Sequence, residues 1–150
     1  MGVLYDYFRA ADAATVVRLM AENDGGSPDE VELVDAKGID PVVSLGKLIG
    51  FIVDEPWSVD LVRSSLVWPS GDELEEHEGP WVEELGDRTR DALAGLDPAR
   101  IPELATRWAG IEEFSGYADN ELLASGITEM AALARNARDA GEHLYCWSSL

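Results

Sequence analysis

Acidic residues are concentrated in one stretch of this chain. Seven lie between residues 72 and 84, with His77 among them: Asp72, Glu73, Glu75, Glu76, Glu78, Glu83 and Glu84. Carboxylates with an imidazole can bind a divalent cation, and carboxylates alone can attract a basic protein. The spacing matches neither an EF-hand loop nor a His-Glu-x-x-His helix, so no metal site is assigned. A solvated acidic loop is the plainest interpretation, a docking surface for a basic partner the next, and a cation site the third.

Two tryptophans frame this acidic stretch. Trp68 precedes it and Trp81 lies near its end. Core packing is the ordinary role of the five tryptophans in the chain, but aromatic anchors surrounded by charge are typical of protein interfaces. We therefore predict a partner-binding set at these positions: Trp68, Asp72, Glu73, Glu76 and Trp81.

Few other residues offer catalysis or cofactor binding. The two histidines, His77 and His143, exclude a multi-histidine zinc site. The sequence contains no Gly-x-Ser-x-Gly elbow, no dinucleotide-binding glycine pattern and no P-loop. Cys146 is the single cysteine, and its apolar neighbours predict a buried, inert thiol. We predict no cofactor and identify no catalytic residue.

The overall charge is strongly negative. Asp and Glu number 30 against 11 Lys and Arg, which gives a formal net charge of -19. Binding to nucleic acid or to an anionic membrane relies on Lys and Arg at the contact, so neither is expected. A basic protein, a cation or simple solubility would suit this surface. Because 46% of the residues are hydrophobic, the chain is expected to fold around an apolar core and to carry its acidic residues on the surface.

Length and hydropathy predict one domain over residues 1–150. No polar linker divides the chain. The first residues lack the basic and apolar regions of a secretory signal. The longest apolar stretch, residues 41–53, is too short to span a bilayer and contains Lys47. We therefore expect a cytoplasmic protein without membrane contact, and its oligomeric state stays open.

Hydrophobic periodicity predicts an α+β fold, with several helices packed on a small sheet. Strands at residues 3–8 and 143–150 are expected to pair with each other or with a third strand. Short extended segments are predicted near residues 31–34 and 66–69. Gly46 and Gly50 lie one turn apart in an apolar helix, which predicts close packing there. Helices are predicted over residues 12–22, 41–53, 59–65, 80–94 and 120–140. A further helix through residues 104–108 is predicted to begin at Asp97-Pro98 or at Ile101-Pro102.

The order of these elements resembles that of a known family. A short aromatic strand ends at Tyr7-Phe8-Arg9-Ala10, and Asp35-Ala36-Lys37-Gly38 leads into the apolar helix. A helix-turn-helix element follows over residues 93–108, and Ala140-Gly141-Glu142-His143-Leu144 enters the final strand. In this layout the chain resembles the YfbM-like family of small bacterial proteins of unknown function. The resemblance implies an α+β fold and a bacterial, cytoplasmic setting, and it implies no activity.

Two hypotheses for the function follow from these observations. The first is a non-enzymatic, acidic protein-binding module, similar in kind to an immunity protein or antitoxin that covers a basic toxin. The second is a small-ligand binder or enzyme whose pocket is built from dispersed residues. A concave pocket holding carboxylates or a histidine would favour the second, and a flat acidic face the first.

Overall fold

The computed structural model describes residues 2–71 and 76–150. In these ranges the chain forms five α-helices and five β-strands, which confirms the α+β prediction. The strands are β1 (Leu4–Ala10), β2 (Leu33–Asp35), β3 (Ser64–Trp68), β4 (Trp81–Leu85) and β5 (His143–Ser149). The helices are α1 (Ala13–Glu22), α2 (Ser44–Val53), α3 (Asp87–Ala94), α4 (Ile101–Ala109) and α5 (Asn120–Ala140).

The five strands form one antiparallel sheet in the order β2-β1-β5-β4-β3. β1 and β5 pair along their whole length, from Leu4 opposite Ser149 to Ala10 opposite His143. The prediction that the terminal strands belong to the same sheet is therefore confirmed. β5 also pairs with β4, so the last strand of the chain lies at the centre of the sheet.

Side chains alternate between the two faces of the sheet and build two apolar clusters. On one face Phe8 and Tyr145 stack with their ring centroids 5.6 Å apart and pack in a small cluster with Val16 and Met20 of α1. On the other face Tyr7 and Leu144 join the larger core with residues of α2, α3, α4 and α5. Alternate side chains of each strand thus enter the two apolar clusters, one on each face, as expected for a sheet that is covered on both faces.

α2 is the most buried of the helices and confirms the close packing predicted from its glycines. A Cβ at Gly46 would lie 2.8 Å from the indole nitrogen of Trp57, and one at Gly50 would lie 2.8 Å from the carbonyl oxygen of Glu55. The helix begins at Ser44, not at residue 41 as predicted. Asp40 does cap this region, because its carboxylate accepts from the backbone N–H groups of residues 43 and 44.

Residues 59–85 differ most from the prediction. The helix expected over residues 59–65 is absent, since residues 59–62 form turns and bends and β3 begins at Ser64. The helix expected from residue 80 begins only at Asp87, and β4 occupies Trp81–Leu85. Glu83 and Glu84 favour a helix locally, but pairing with β3 and β5 overrides that preference.

Sequence signals at several other helix ends are confirmed. Asp12 accepts from the N–H of Thr15 at the start of α1, and Asp119 accepts from two N–H groups at the start of α5. Gly141 ends α5 in the left-handed conformation, at φ 69°. In the described part of the chain, no helix has the length and apolar character needed to cross a bilayer.

The two glycines at positions 50 and 126 make a matched test of the packing in α2. Gly50→Ala should lower the free energy of unfolding by about 1–3 kcal/mol, because the backbone carbonyl of Glu55 has little room to move. Gly126→Ala in α5 meets no heavy atom within 4 Å and should raise it by about 0.5–1 kcal/mol. Urea unfolding of both variants measures the two values. Equal effects of the same sign would contradict the packing described for α2.

Candidate functional site

The structure places the two candidate tryptophans on adjacent strands. Trp68 ends β3 and Trp81 begins β4. The ring of His77 lies edge-on to both, with centroid distances of 5.2 Å to Trp68 and 6.1 Å to Trp81. Its Nε2 donates to the carbonyl oxygen of Pro80 at 2.6 Å. The three rings therefore form one aromatic cluster beside the acidic stretch.

The candidate partner-binding residues differ in how exposed they are and in whether the structure describes them. Glu76 is exposed next to His77, whereas Asp72 and Glu73 lie outside the described residues. Trp68 is partly engaged in the fold, since a Cβ at Gly25 would lie 3.0 Å from its ring and it packs against the α1 cluster. Trp81 is half-buried and borders a concavity, so part of its ring is accessible to a partner. Partner binding by this set stays a prediction.

The concavity beside Trp81 has a volume of about 390 Å³ and lies at one end of the sheet. Its floor follows the strand register: Tyr5 of β1 and Trp81 of β4 both lie opposite Ser148 of β5, and Leu66 of β3 lies opposite Glu83. We call it the acidic concavity, and its described lining contains no Lys or Arg. The lining residues are Tyr5, Asp40, Pro41, Val42, Leu66, Trp81, Glu83 and Ser148.

Two carboxylates, those of Asp40 and Glu83, share the acidic concavity. Burial raises the pKa of Glu83, the hydroxyl of Ser64 lowers it by hydrogen bonding, and the nearby Asp40 raises it further. Burial also raises the pKa of Tyr5, with smaller contributions from Asp40 and Glu83. A cation placed between these groups would relieve the repulsion, so the site is electrostatically suited to an ammonium or guanidinium group.

The concavity adjoins an open edge of the sheet. β3 is the last strand on this side, and the described residues provide no strand along its outer edge. Leu66 on this strand is 40% exposed, and Val59 in the preceding turn is 64% exposed. An exposed edge strand with apolar side chains is a template for pairing with another extended segment.

A larger concavity of about 720 Å³ lies at the other end of β3 and β4. In it His143 Nδ1 and an oxygen of Asp87 are 2.6 Å apart, and Arg90 approaches the same carboxylate at 3.4 Å. The hydroxyl of Tyr145 donates to Glu84, which also lines this concavity, at 3.1 Å. Burial, followed by the neighbouring Glu84, raises the pKa of Tyr145. We call this group the histidine–aspartate site.

The single thiol is confirmed as buried. Cys146 is 1% exposed in the centre of β5. Burial raises its pKa, so at neutral pH the group is a thiol and not the nucleophilic thiolate. Among the residues that the structure describes, no group of three or more His, Cys, Asp or Glu side chains is arranged to hold a metal ion.

Sequence reasoning missed most of the residues that line these concavities. The sequence places Tyr5, Leu66 and His143 in three separate predicted strands or extended segments, and no pattern in it brings them near Asp40. Asp87 and His143 are 56 residues apart, and only the position of β5 beside β4 brings them together. The one available signal was the aromatic residue Trp81 next to Glu83 and Glu84.

The chain was compared with family models, with curated proteins and with solved structures, and none of the three comparisons gave a match. The resemblance to the YfbM-like family stays a prediction.

Glu83→Gln tests the electrostatics of the acidic concavity. Because the folded-state pKa of Glu83 lies above the ordinary 4.5, the folded chain holds this proton more tightly than the unfolded chain. Wild-type stability therefore falls as pH rises from 4.5 through the raised pKa. The variant should be more stable than wild type at neutral pH, and the difference should vanish below pH 4.5.

Urea unfolding at several pH values measures this difference. Glu129→Gln, at an exposed position on α5, serves as the control and should show no comparable gain at neutral pH. A loss of stability in Glu83→Gln at neutral pH would contradict this expectation, because it would show that contacts within the chain stabilise the ionised carboxylate.

Proposed function

We propose that this chain is an acidic protein-binding module that binds a basic protein at the β3 edge and the adjoining acidic concavity. The observation that supports this most directly is their contiguity: Leu66 belongs both to the open edge strand and to the lining of the concavity. One extended segment of a partner can therefore pair with β3 and place a basic side chain beside Glu83.

Charge supports a basic partner over a neutral one. The chain carries a net charge of -19, and the acidic stretch follows β3 directly in sequence. Complementary potentials of this kind accelerate encounter and select against acidic competitors. Asp40 and Glu83 then provide a local position for one Lys or Arg side chain, with the rings of Tyr5 and Trp81 beside it.

Apolar contacts provide the remaining affinity in this proposal. Leu66, Val59 and Trp81 supply aliphatic and aromatic surface at the edge, and polar groups surround them. Interfaces of this composition place their energetic hot spots at buried aromatic and basic residues and keep charge at the rim. A cytoplasmic antitoxin or immunity protein that covers a basic toxin has this chemistry, and it needs no catalytic residue of its own.

The disfavoured state of Glu83 also fits a binding role. A half-buried carboxylate beside another carboxylate weakens the free fold, as the raised pKa of Glu83 indicates. A partner's cation converts the same arrangement into a favourable contact. Function and stability then make opposite demands on this residue, which is a common property of binding sites.

Leu66→Lys tests the proposed edge. The variant places a positive charge on the exposed strand and should repel a basic segment, so capture of the partner should fall at least about tenfold. Val17→Lys is the matched control, because Val17 is also 40% exposed but lies on α1. Capture from lysate of the source organism at low and raised salt, quantified with each immobilised variant, gives the comparison.

The possible outcomes distinguish the proposed function, which is binding of a basic protein, from the proposed binding site at the β3 edge. A stoichiometric basic protein that is lost at raised salt and with Leu66→Lys, but retained with Val17→Lys, supports both. A basic partner captured equally by both variants would move the site away from β3. Failure to capture any basic protein at low salt would overturn the proposed function.

A second candidate function is small-ligand binding or catalysis at the histidine–aspartate site. The 2.6 Å contact between His143 and Asp87 in a 720 Å³ concavity favours it, because a carboxylate that orients an imidazole is a recurrent arrangement in enzymes. His143→Ala tests where a captured protein binds. Loss of capture in this variant, with capture retained in Leu66→Lys, would place the partner at the histidine–aspartate site instead of the β3 edge. If the wild-type chain captures no protein, small-ligand binding or catalysis is the candidate that remains.

A further inference from the structure

A cavity at the start of α3 is lined by groups that donate hydrogen bonds. Its volume is about 500 Å³, and residues 86–89, which form the N-cap and first turn of the helix, all line it. The first N–H groups of a helix have no acceptor within the helix. Here no side-chain oxygen caps them, because Gly86 occupies the N-cap. We call this space the α3 cavity, and the partial positive charge of the helix terminus makes it suited to an anion.

A buried hydroxyl in this first turn lacks a partner. Thr89 is 1% exposed, and its Oγ1 forms no hydrogen bond with any residue that the structure describes. An unpaired buried hydroxyl is rare in folded proteins, because it loses its bonds to water without replacement. Thr89 also lines the α3 cavity. An oxyanion seated against the first turn can accept from this hydroxyl together with the uncapped N–H groups.

Arg63 supplies a cation beside the N-cap. A Cβ at Gly86 would lie 3.4 Å from the Cβ of Arg63, and the N–H of Gly86 donates to the carbonyl oxygen of Arg63 at 2.7 Å. The Arg63 side chain is exposed, lines the α3 cavity and forms no ion pair with the described carboxylates. Its planar guanidinium can therefore donate to the oxygen atoms of an anion at the helix terminus.

Most of the carboxylates in the lining are already paired. An oxygen of Asp87 lies 2.6 Å from Nδ1 of His143, and Glu55 pairs with Arg88 at 2.5 Å. Asp60 is the third carboxylate of the described lining, and the guanidinium beside the N-cap opposes it. Charges outside the lining act from greater distances and are largely screened beyond about 8 Å at physiological ionic strength. The local donors therefore determine the preference of the cavity more than the net charge of -19 does.

The arrangement of these donors favours a phosphate over a carboxylate. The backbone N–H groups, the Thr89 hydroxyl and the Arg63 guanidinium come from three different parts of the wall. The oxygens of a tetrahedral phosphate face several directions, whereas the two oxygens of a carboxylate lie in one plane. The α3 cavity also adjoins the histidine–aspartate site, because Asp60, Arg63, Gly86 and Asp87 line both. A molecule whose phosphate lies at α3 can extend along this shared wall.

We propose that the α3 cavity binds a phosphate group, either free or carried by a small molecule. The N–H groups of residues 87 and 88, the hydroxyl of Thr89 and the guanidinium of Arg63 donate to its oxygens. The cavity shares no lining residue with the acidic concavity. Phosphate binding therefore goes beyond the proposed binding of a basic protein, and it is measured without a partner.

Titration of the full chain with inorganic phosphate, followed by the amide signals in NMR spectra, tests the proposal. The signals of residues 87–89 should shift saturably with one dissociation constant. Thr89→Val keeps the shape of the side chain but removes the hydroxyl, and it should weaken phosphate binding at least about tenfold. Arg63→Gln, at an exposed position, should do the same. Thr128→Val is the matched control, because the Thr128 hydroxyl already donates to the carbonyl oxygen of Ala124, and it should keep wild-type affinity.

Urea unfolding without phosphate distinguishes lost binding from lost stability. Thr89→Val should unfold at the same or a higher urea concentration than wild type, because its hydroxyl has no partner to lose. A lower midpoint would show that the chain itself pairs this hydroxyl, and it would overturn the assignment of the hydroxyl to a ligand. Absence of saturable shifts at residues 87–89, or equal phosphate affinity in all three variants, would overturn the site.

Titration with glycerol phosphate identifies the source of the phosphate group. Tighter binding than that of inorganic phosphate would assign the site to a phosphate ester that extends towards His143. Equal or weaker binding, with the shifts at residues 87–89 retained, would assign it to free phosphate.

Discussion

The pairing of β5 with both β1 and β4 is the interaction on which the rest of the structure depends. Without β5 the sheet would separate into a β1–β2 part and a β3–β4 part, because β5 is the strand that joins them. Leu144, Tyr145, Cys146 and Trp147 are all buried and contribute to both apolar clusters. The strand is also the last in sequence, so its contacts with β1 are the most non-local in the fold. Such contacts form against a large loop-closure entropy, and they therefore couple the folding of the two halves.

The same strand also determines where the concavities lie. Helices cover the middle of one face, where Tyr7 and Leu144 are fully buried, but they leave the end of the sheet that carries Tyr5 and Trp81 less covered. At that end Ser148 of β5 lies opposite both aromatic residues. At its other end, β5 places His143 beside Asp87 at the start of α3. The acidic concavity and the histidine–aspartate site therefore lie at the two ends of β5, where the helices cover the sheet less completely than at its middle.

Sequence signals predicted the elements that depend on local chemistry. α1 and α5 begin at the capping residues Asp12 and Asp119, and α5 ends at Gly141, because caps act within one turn. β4 was mistaken for a helix because the strand is imposed by its two neighbours and not by Glu83 and Glu84. The acidic concavity was unpredictable for the same reason. Its residues come from four strands and a loop, and only the register of the sheet, which no local pattern specifies, brings them together.

The placement of the cations explains why the acidic surface stays uncompensated. Arg9 connects β1 to Glu32 and Glu142, and Lys47 of α2 pairs with Glu113. Arg100 donates to two backbone carbonyl groups at the end of α2. All three cations connect elements of the fold, and Arg9 and Lys47 neutralise carboxylates that lie away from the β3 edge. With 30 acidic side chains and 11 basic ones, self-repulsion acts against the compact state. Under the proposed function, a basic partner that binds only the folded chain relieves that repulsion and raises the free energy of unfolding by mass action.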